Sequence, residues 1–229
     1  MSTSPLHGDT FRLGYRFQRH WDLPMANAFF CGELGAGLFL VSMAWDFPPG
    51  SILGLLITCI GKPFFHLSHM GVPAKSWRAI LRPDRSWTSR GLIAIVVFTG
   101  AGVIHTIDAY LGGILPYGMV IQFVAVAAAL VVAAYQGFAM SHSTAIALWS
   151  TAMMPFASLL YAVTGGGVLV FLLQGGELGM NAQGHRASVI AVMLGAILIM
   201  LLGLLHAAYH GSPGGKVSAR LLIRTQYAK

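Results

Sequence analysis

A chain of 229 residues that is 56% hydrophobic and 9% charged, with a mean hydropathy of +0.71, carries far more apolar surface than a soluble domain can bury. The composition excludes a secreted disulfide scaffold and a water-soluble enzyme, and it specifies an all-α, polytopic transmembrane helix bundle of one domain. The net charge of +7 is expected to be a topological signal rather than a nucleic-acid-binding surface.

Windows of about 20 apolar residues give six spans. The first, 26–45, has Glu33 as its only internal charge and ends at Trp45-Asp46-Phe47-Pro48-Pro49 instead of a small-residue cleavage site, so it is expected to stay as a helix and not to leave as a signal peptide. The second, 51–70, contains Lys62, His66 and His69 at i, i+4 and i+7, which a helix places on one face. The third and fourth are 91–111 and 117–139. The fifth, 148–173, holds Pro155 and Gly165-Gly166-Gly167 and is expected to kink or tilt. The sixth is 187–209. Short Gly- and Pro-rich connections at 47–50 and 112–116 imply an up-and-down bundle. The organisation is thus an N-terminal segment 1–24, a six-helix domain 25–210 and a basic tail 211–229. Cys31 and Cys59 both lie in apolar stretches and provide neither a disulfide framework nor a thiolate set for metal; the methionines are expected to be packing residues.

Twelve of the 14 lysines and arginines fall on one side: Arg12, Arg16 and Arg19; Lys75, Arg78, Arg82, Arg85 and Arg90; and Lys216, Arg220, Arg224 and Lys229. Only Arg186 is opposite, and Lys62 is inside a span. The positive-inside rule therefore puts both termini and the 70–90 loop in the cytoplasm. Glu33 and Lys62 each lie about eight residues from the cytoplasmic end of their spans, near 12 Å deep at about 1.5 Å per residue, where an ion pair is geometrically allowed. His66, His69, Tyr135, His206 and His210 share that half; His105 and Asp108, with Gln122 at similar depth, occupy the other.

Ionisable groups inside a bilayer are costly and mark functional sites. A pocket with histidines, a carboxylate and apolar walls suits a quinone, whose carbonyl oxygens need donors and whose redox cycle exchanges protons. The alternative for any one histidine is a bond to a nearby carbonyl, and for Glu33 with Lys62 a structural ion pair.

Three stretches resemble one family. His69-Met70-Gly71-Val72-Pro73, Trp77-Arg78 and Ser86-Trp87-Thr88-Ser89-Arg90 are similar to the loop of NrfD-type membrane subunits, the group that includes the polysulfide reductase and dimethyl sulfoxide reductase anchors. Gly32-Glu33-Leu34-Gly35-Ala36-Gly37 resembles that family's glycine-rich first helix, and Tyr135-Gln136-Gly137-Phe138 with Ser141, Ile146, Trp149 and Pro155 its Tyr-x-Gly to Pro-x-Trp region. The resemblance covers roughly residues 26–165.

It implies a haem-free subunit of a bacterial or archaeal cytoplasmic membrane that exchanges electrons between menaquinone or ubiquinone and a four-cluster, ferredoxin-like iron–sulfur subunit. That subunit would be joined to a molybdenum or tungsten pterin enzyme, so clusters and pterin belong to partners only, and this chain, inactive alone, holds no metal. His69 is the residue matching the family's quinone-proximal histidine. With it, His66, Tyr135 and Lys62 are the candidate quinone contacts, Glu33 the proton-transfer group, and Lys75, Arg78, Arg82, Arg85 and Arg90 the docking surface. Gly35 and Gly37 are expected to allow close helix approach, and Trp77 and Trp87 to anchor at the interface or touch the partner. The chain departs from the family in having six spans in place of the usual eight, in a motif loop that the charges place in the cytoplasm, and in Lys62. A cytoplasmic loop fits partners acting on a coenzyme A thioester, as in the phenylacetyl-CoA:acceptor oxidoreductase branch. Two other readings stand beside this one: a b-type cytochrome anchor with haem between His66 or His69 and His206, and an ion- or proton-coupled transporter using Glu33, Lys62 and Asp108.

Overall fold

Asp22 starts the first helix: its side chain accepts a hydrogen bond from the Met25 amide at 3.1 Å, and Pro24 sits in the first turn, where no amide proton is needed. In this computed structural model the described residues are 22–142, 146, 149–173, 182–209, 213–214 and 216–217, the side chains of 182–191, 204, 207 and 208 excepted. Arg12, Arg16, Arg19, His210, Arg220, Arg224 and Lys229 lie outside them, as do nearly all of the N-terminal segment and the basic tail.

Among the described residues all regular structure is helical. Helix α1 is Leu23–Ala44; α2 (Pro48–Leu56), a π-helical segment Ile57–Gly61 and α3 (Lys62–His69) form one continuous rod; a 3₁₀ helix covers Pro73–Ile80; α4 is Trp87–Tyr110, α5 Gly118–Ser141, α6 Met154–Leu173 and α7 Ala182–Tyr209. Five of these units, α1, the α2–α3 rod, α4, α5 and α6, are long and apolar enough to cross a membrane; α7 contains a shorter apolar stretch, Val192–Gly203. Several apolar helices of this kind suggest a membrane-embedded protein.

Two elements differ from the sequence reading for reasons of proline chemistry. Pro63 has no amide proton and its ring crowds the carbonyl four residues back, a clash that α geometry cannot relieve. The π turn at Ile57–Gly61 ends two residues before it, widening the helix there while keeping the rod continuous. The fifth span begins at Met154 rather than 148, so Pro155 lies in a first turn instead of breaking a helix midway.

Helix α1 is the centre of the bundle, packing on α2, α3, α5 and α6, while α4 pairs with α5, and α7 packs on α6. Phe39 and Phe98 meet edge-on at 4.9 Å within a core of Leu55, Ala129, Val132 and Ala162. Small residues set the closest approach. A β-carbon on Gly37 would run into the backbone of Ala162, and one on Gly166 into that of Gly37, so α1 and α6 touch through their main chains. Gly35 faces Gly54 and Thr58 in the same way. Both glycines expected to permit close packing do so.

The start of α1, the end of α3, the start of α4, the end of α5 and the start of α6 share one end of the bundle, that of the 70–90 loop. The Ser86 to Arg90 segment builds this end. Ser86 caps α4 by accepting from the Ser89 amide at 3.3 Å, the Ser89 hydroxyl donates to the Ala79 carbonyl, and Arg90 donates to the carbonyls of Pro83 (2.7 Å) and Asp84 (3.1 Å). Trp87 stacks on Phe138 at 4.1 Å.

Candidate functional site

Lys62, His66 and His69 form one face of α3, as their spacing requires, and that face turns toward α1. Lys62 is the most deeply buried, at 1% exposure. Its ammonium donates to the Ala28 carbonyl at 3.3 Å and to Gln136 Oε1, and it sits 5.2 Å from the ring of Phe29 and 5.1 Å from that of Tyr135. Gln136, fully buried on α5, also donates through Nε2 to the Phe29 carbonyl at 2.9 Å. His66 meets the Phe29 ring edge-on at 6.1 Å. His69 Nδ1 lies 2.9 Å from the Asp22 carboxylate, tying the last turn of α3 to the cap of α1.

Glu33 projects from the other flank of α1. Among the described residues no cation lies within 4 Å of it, so the pair with Lys62 is not a direct one. Its carboxylate takes a hydrogen bond from Ser158 of α6, whose hydroxyl is also 2.7 Å from the Ala133 carbonyl. Gln136 holds Lys62 and the Phe29 carbonyl, while Ser158 holds Glu33, so the two charges have separate polar partners.

The wall carrying Glu33 borders a cleft of about 380 Å³ between α1, α6 and the end of α5. Its α1 side is Asp22, Ala26, Phe29, Phe30 and Glu33, a helical stripe; its α6 side is Met154, Ser158 and Tyr161, another. Met140, Ile146 and Trp149 complete it, and Met140 and Trp149 also wall a second space of about 300 Å³ that continues toward Met153, Met200 and Gly203 between α6 and α7. The Tyr161 hydroxyl donates to the Met200 sulfur, a weak acceptor.

Of the expected site residues, Glu33 lines the cleft. His69 reaches its rim through Asp22, while His66, Lys62 and Tyr135 pack behind α1, with Tyr135 buried against Gly91. His206 Nδ1 bonds Thr151 Oγ1 at 3.2 Å, beside the second space. Among the docking candidates Lys75, Arg78, Arg82 and Arg85 are exposed, whereas Arg90 is engaged within its own loop. Asp108 caps the turn after α4 by accepting from the Leu115 amide at 2.8 Å. Ser158, Tyr161 and Gln136 escaped the sequence reading as site residues. The only signal for the first two was their shared stripe on α6, and nothing in the sequence paired it with Glu33, 125 residues from Ser158.

Comparison with protein-family models, with curated proteins and with solved structures gave no match.

Proposed function

We propose that this chain is the quinone-reactive membrane subunit of a multi-subunit oxidoreductase, exchanging electrons between a membrane quinone and an iron–sulfur subunit docked on the 70–90 loop. The observation that carries the reading is a carboxylate, Glu33, held by Ser158 on the wall of a mainly apolar and aromatic cleft that has Asp22 at its rim, at the basic-loop end. In this reading the positive-inside rule makes that end cytoplasmic, and α7 is taken as a sixth span beside the five longer apolar helices.

The cleft fits the head group: about 380 Å³ lies within the range of small-molecule sites, and the adjoining space gives a flexible isoprenoid tail an apolar exit. A bound quinone would supply chemistry that moves two electrons with two protons. Tyr161 would exchange its thioether partner for a carbonyl oxygen, a stronger acceptor, and Trp149 lends an aromatic face to the same wall. Phe29 and Phe30 add apolar ring surface to the α1 wall.

Ser158 suits Glu33 to proton exchange. A hydroxyl has one proton and two lone pairs, so it donates to an ionised Glu33 and, when Glu33 is protonated, accepts from it while turning its own proton to the Ala133 carbonyl 2.7 Å away. Both charge states of Glu33 are satisfied without moving a helix. Lys62 and Gln136 hold a fixed polar background behind it, and the Asp22–His69 pair at the rim leads toward water.

The test is purification of the tagged chain in mild detergent from its host, with identification of co-purifying subunits and spectra before and after dithionite. Broad cluster bleaching with a ferredoxin-like and a molybdenum or tungsten subunit supports the proposal. A Soret band would replace it with the cytochrome reading. A chain that is colourless and alone even after crosslinking before extraction would favour a transporter.

A further inference from the structure

At the opposite end of the bundle a small polar cavity of about 130 Å³ lies under the corner between α1 and α2. Its wall includes Asp46, Ser42, Ser51, His105 and Gln122. Ser42 is 1% exposed and its hydroxyl has no hydrogen-bond partner among the described residues, an arrangement that costs stability unless something occupies the cavity. Asp46 stands at φ +49°, a left-handed position, and no cation of the described residues lies within 4 Å of its carboxylate. Among the described residues the wall has no lysine or arginine. The hydroxyls, the Gln122 amide and His105 can each donate as well as accept, so the Asp46 carboxylate, the one anionic group of the wall among the described residues, is what favours a ligand that is cationic and donates hydrogen bonds.

The cavity does not stand alone. Thr106 forms part of its wall and also part of an apolar groove of about 410 Å³ between the α2–π rod and α4, lined by Leu55, Leu56, Val103 and Ile107. Polar pocket and apolar groove therefore flank the same residue, the pocket at the level of an interhelical corner and the groove running toward the middle of the spans. Head groups and acyl chains are arranged in the same order along a bilayer normal.

We propose that this composite site binds one phospholipid with a primary ammonium head group, of the phosphatidylethanolamine type. The ammonium is held by Asp46 with the Ser42 and Gln122 oxygens, and one acyl chain lies in the groove beside Val103 and Ile107. The site is separate from the Glu33 cleft and does not depend on its function.

The experiment is native mass spectrometry of the full chain released from nanodiscs containing equal parts phosphatidylethanolamine and phosphatidylglycerol. One phosphatidylethanolamine should be retained per chain in preference to phosphatidylglycerol. Asp46→Asn, which keeps a side chain tolerant of positive φ, should reduce that preference about tenfold, the scale of one charge-assisted hydrogen bond. Ile107→Trp, at a position 54% exposed and hence tolerant of bulk, should lower retention of lipid by filling the groove. Equal retention of the two lipids, or a preference indifferent to both variants in samples of unchanged helicity, would overturn the proposal and leave a water-filled cavity.

Discussion

Gly32 has no room for a side chain because of Lys62: a β-carbon there would lie 2.7 Å from the lysine Nζ and 3.0 Å from its Cδ. The glycine at this point of α1 is thus the space through which a charged group crosses from α3 to the Ala28 carbonyl. Gly32→Ala should destabilise the chain by about 1–3 kcal/mol, the usual cost of overpacking. Lys62→Ala removes both the charge and the bulk, so the Gly32→Ala substitution should cost much less in that background. Thermal unfolding of the four proteins in detergent gives the coupling energy, and simple additivity would show that the two positions do not interact.

The contact between α1 and α6 is of another kind, because the atoms opposite Gly37 are the Ala162 main chain and cannot swing aside. Gly37→Ala should therefore be worse than Gly32→Ala, with loss of monodisperse protein after extraction. Gly100 on α4 is a matched control, since a β-carbon at that position would meet nothing within 4 Å. There Ala should raise stability slightly, by up to about 1 kcal/mol from helix propensity alone. Size-exclusion profiles and melting temperatures distinguish the two positions, and similar behaviour would remove the close-approach argument.

These contrasts show what could be read from the residues. Apolar runs located the helices to within a few residues, except the starts of the fifth and sixth spans, and the 62–66–69 spacing gave the correct face of α3, because hydropathy and helical period are local properties. The π turn had its cause in Pro63, although a proline in an apolar run signals strain without saying how the helix will absorb it. The site was legible only by halves. Glu33 and Lys62 stood out as charges, but whether they touch depends on the azimuth of each helix, and Gln136 and Ser158, ordinary polar residues in the sequence, turn out to be their partners, Gln136 of the lysine and Ser158 of the carboxylate.

Asp22 links the rim of the cleft to pH. Burial acts to raise its carboxyl pKa, but bonds from His69 and from the Met25 amide more than offset this and hold it below the ordinary value of 3.8. A lowered folded-state pKa gives stability that is present above that value and lost as the pH falls through the folded one. Asp22→Asn keeps a good N-cap while removing the charge. The wild type should therefore melt higher than the variant at pH 6, and the gap should close as the pH is taken toward 3. A gap constant across this range would mean that the carboxylate acts as a cap only.

The proposed quinone contact makes a graded prediction across the cleft. Tyr161→Phe removes one neutral donor and should weaken binding of a short-chain quinone about three- to tenfold, read from quenching of the Trp149 fluorescence against a Trp149→Phe blank. Glu33→Gln preserves shape and the Ser158 contact, so binding should change little while proton-coupled turnover in the complex is lost. His66→Ala, behind α1, should leave quinone affinity near wild type. A large loss with His66→Ala and none with Tyr161→Phe would move the site to the other side of the helix.

The basic loop separates docking from folding. Lys75, Arg78, Arg82 and Arg85 are exposed, and although Arg78 lies over Trp77 and Arg85 beside Asp84, neither contact ties the loop to the bundle. Surface pairs of this sort contribute little to stability, so reversing Arg78 and Arg82 to Glu should leave the melting temperature almost unchanged. The same reversal should abolish co-purification of the proposed iron–sulfur partner and make residual binding less sensitive to salt. Arg90 should behave oppositely. Its guanidinium is committed to the Pro83 and Asp84 carbonyls and stacks on Trp87 at 4.5 Å, so Arg90→Gln releases the entry to α4 and lowers stability first, with any loss of partner as a consequence. Measuring melting temperature and partner yield together resolves the two classes. If Arg78 and Arg82 reversal left the partner bound, the docking surface would have to be sought beyond this loop.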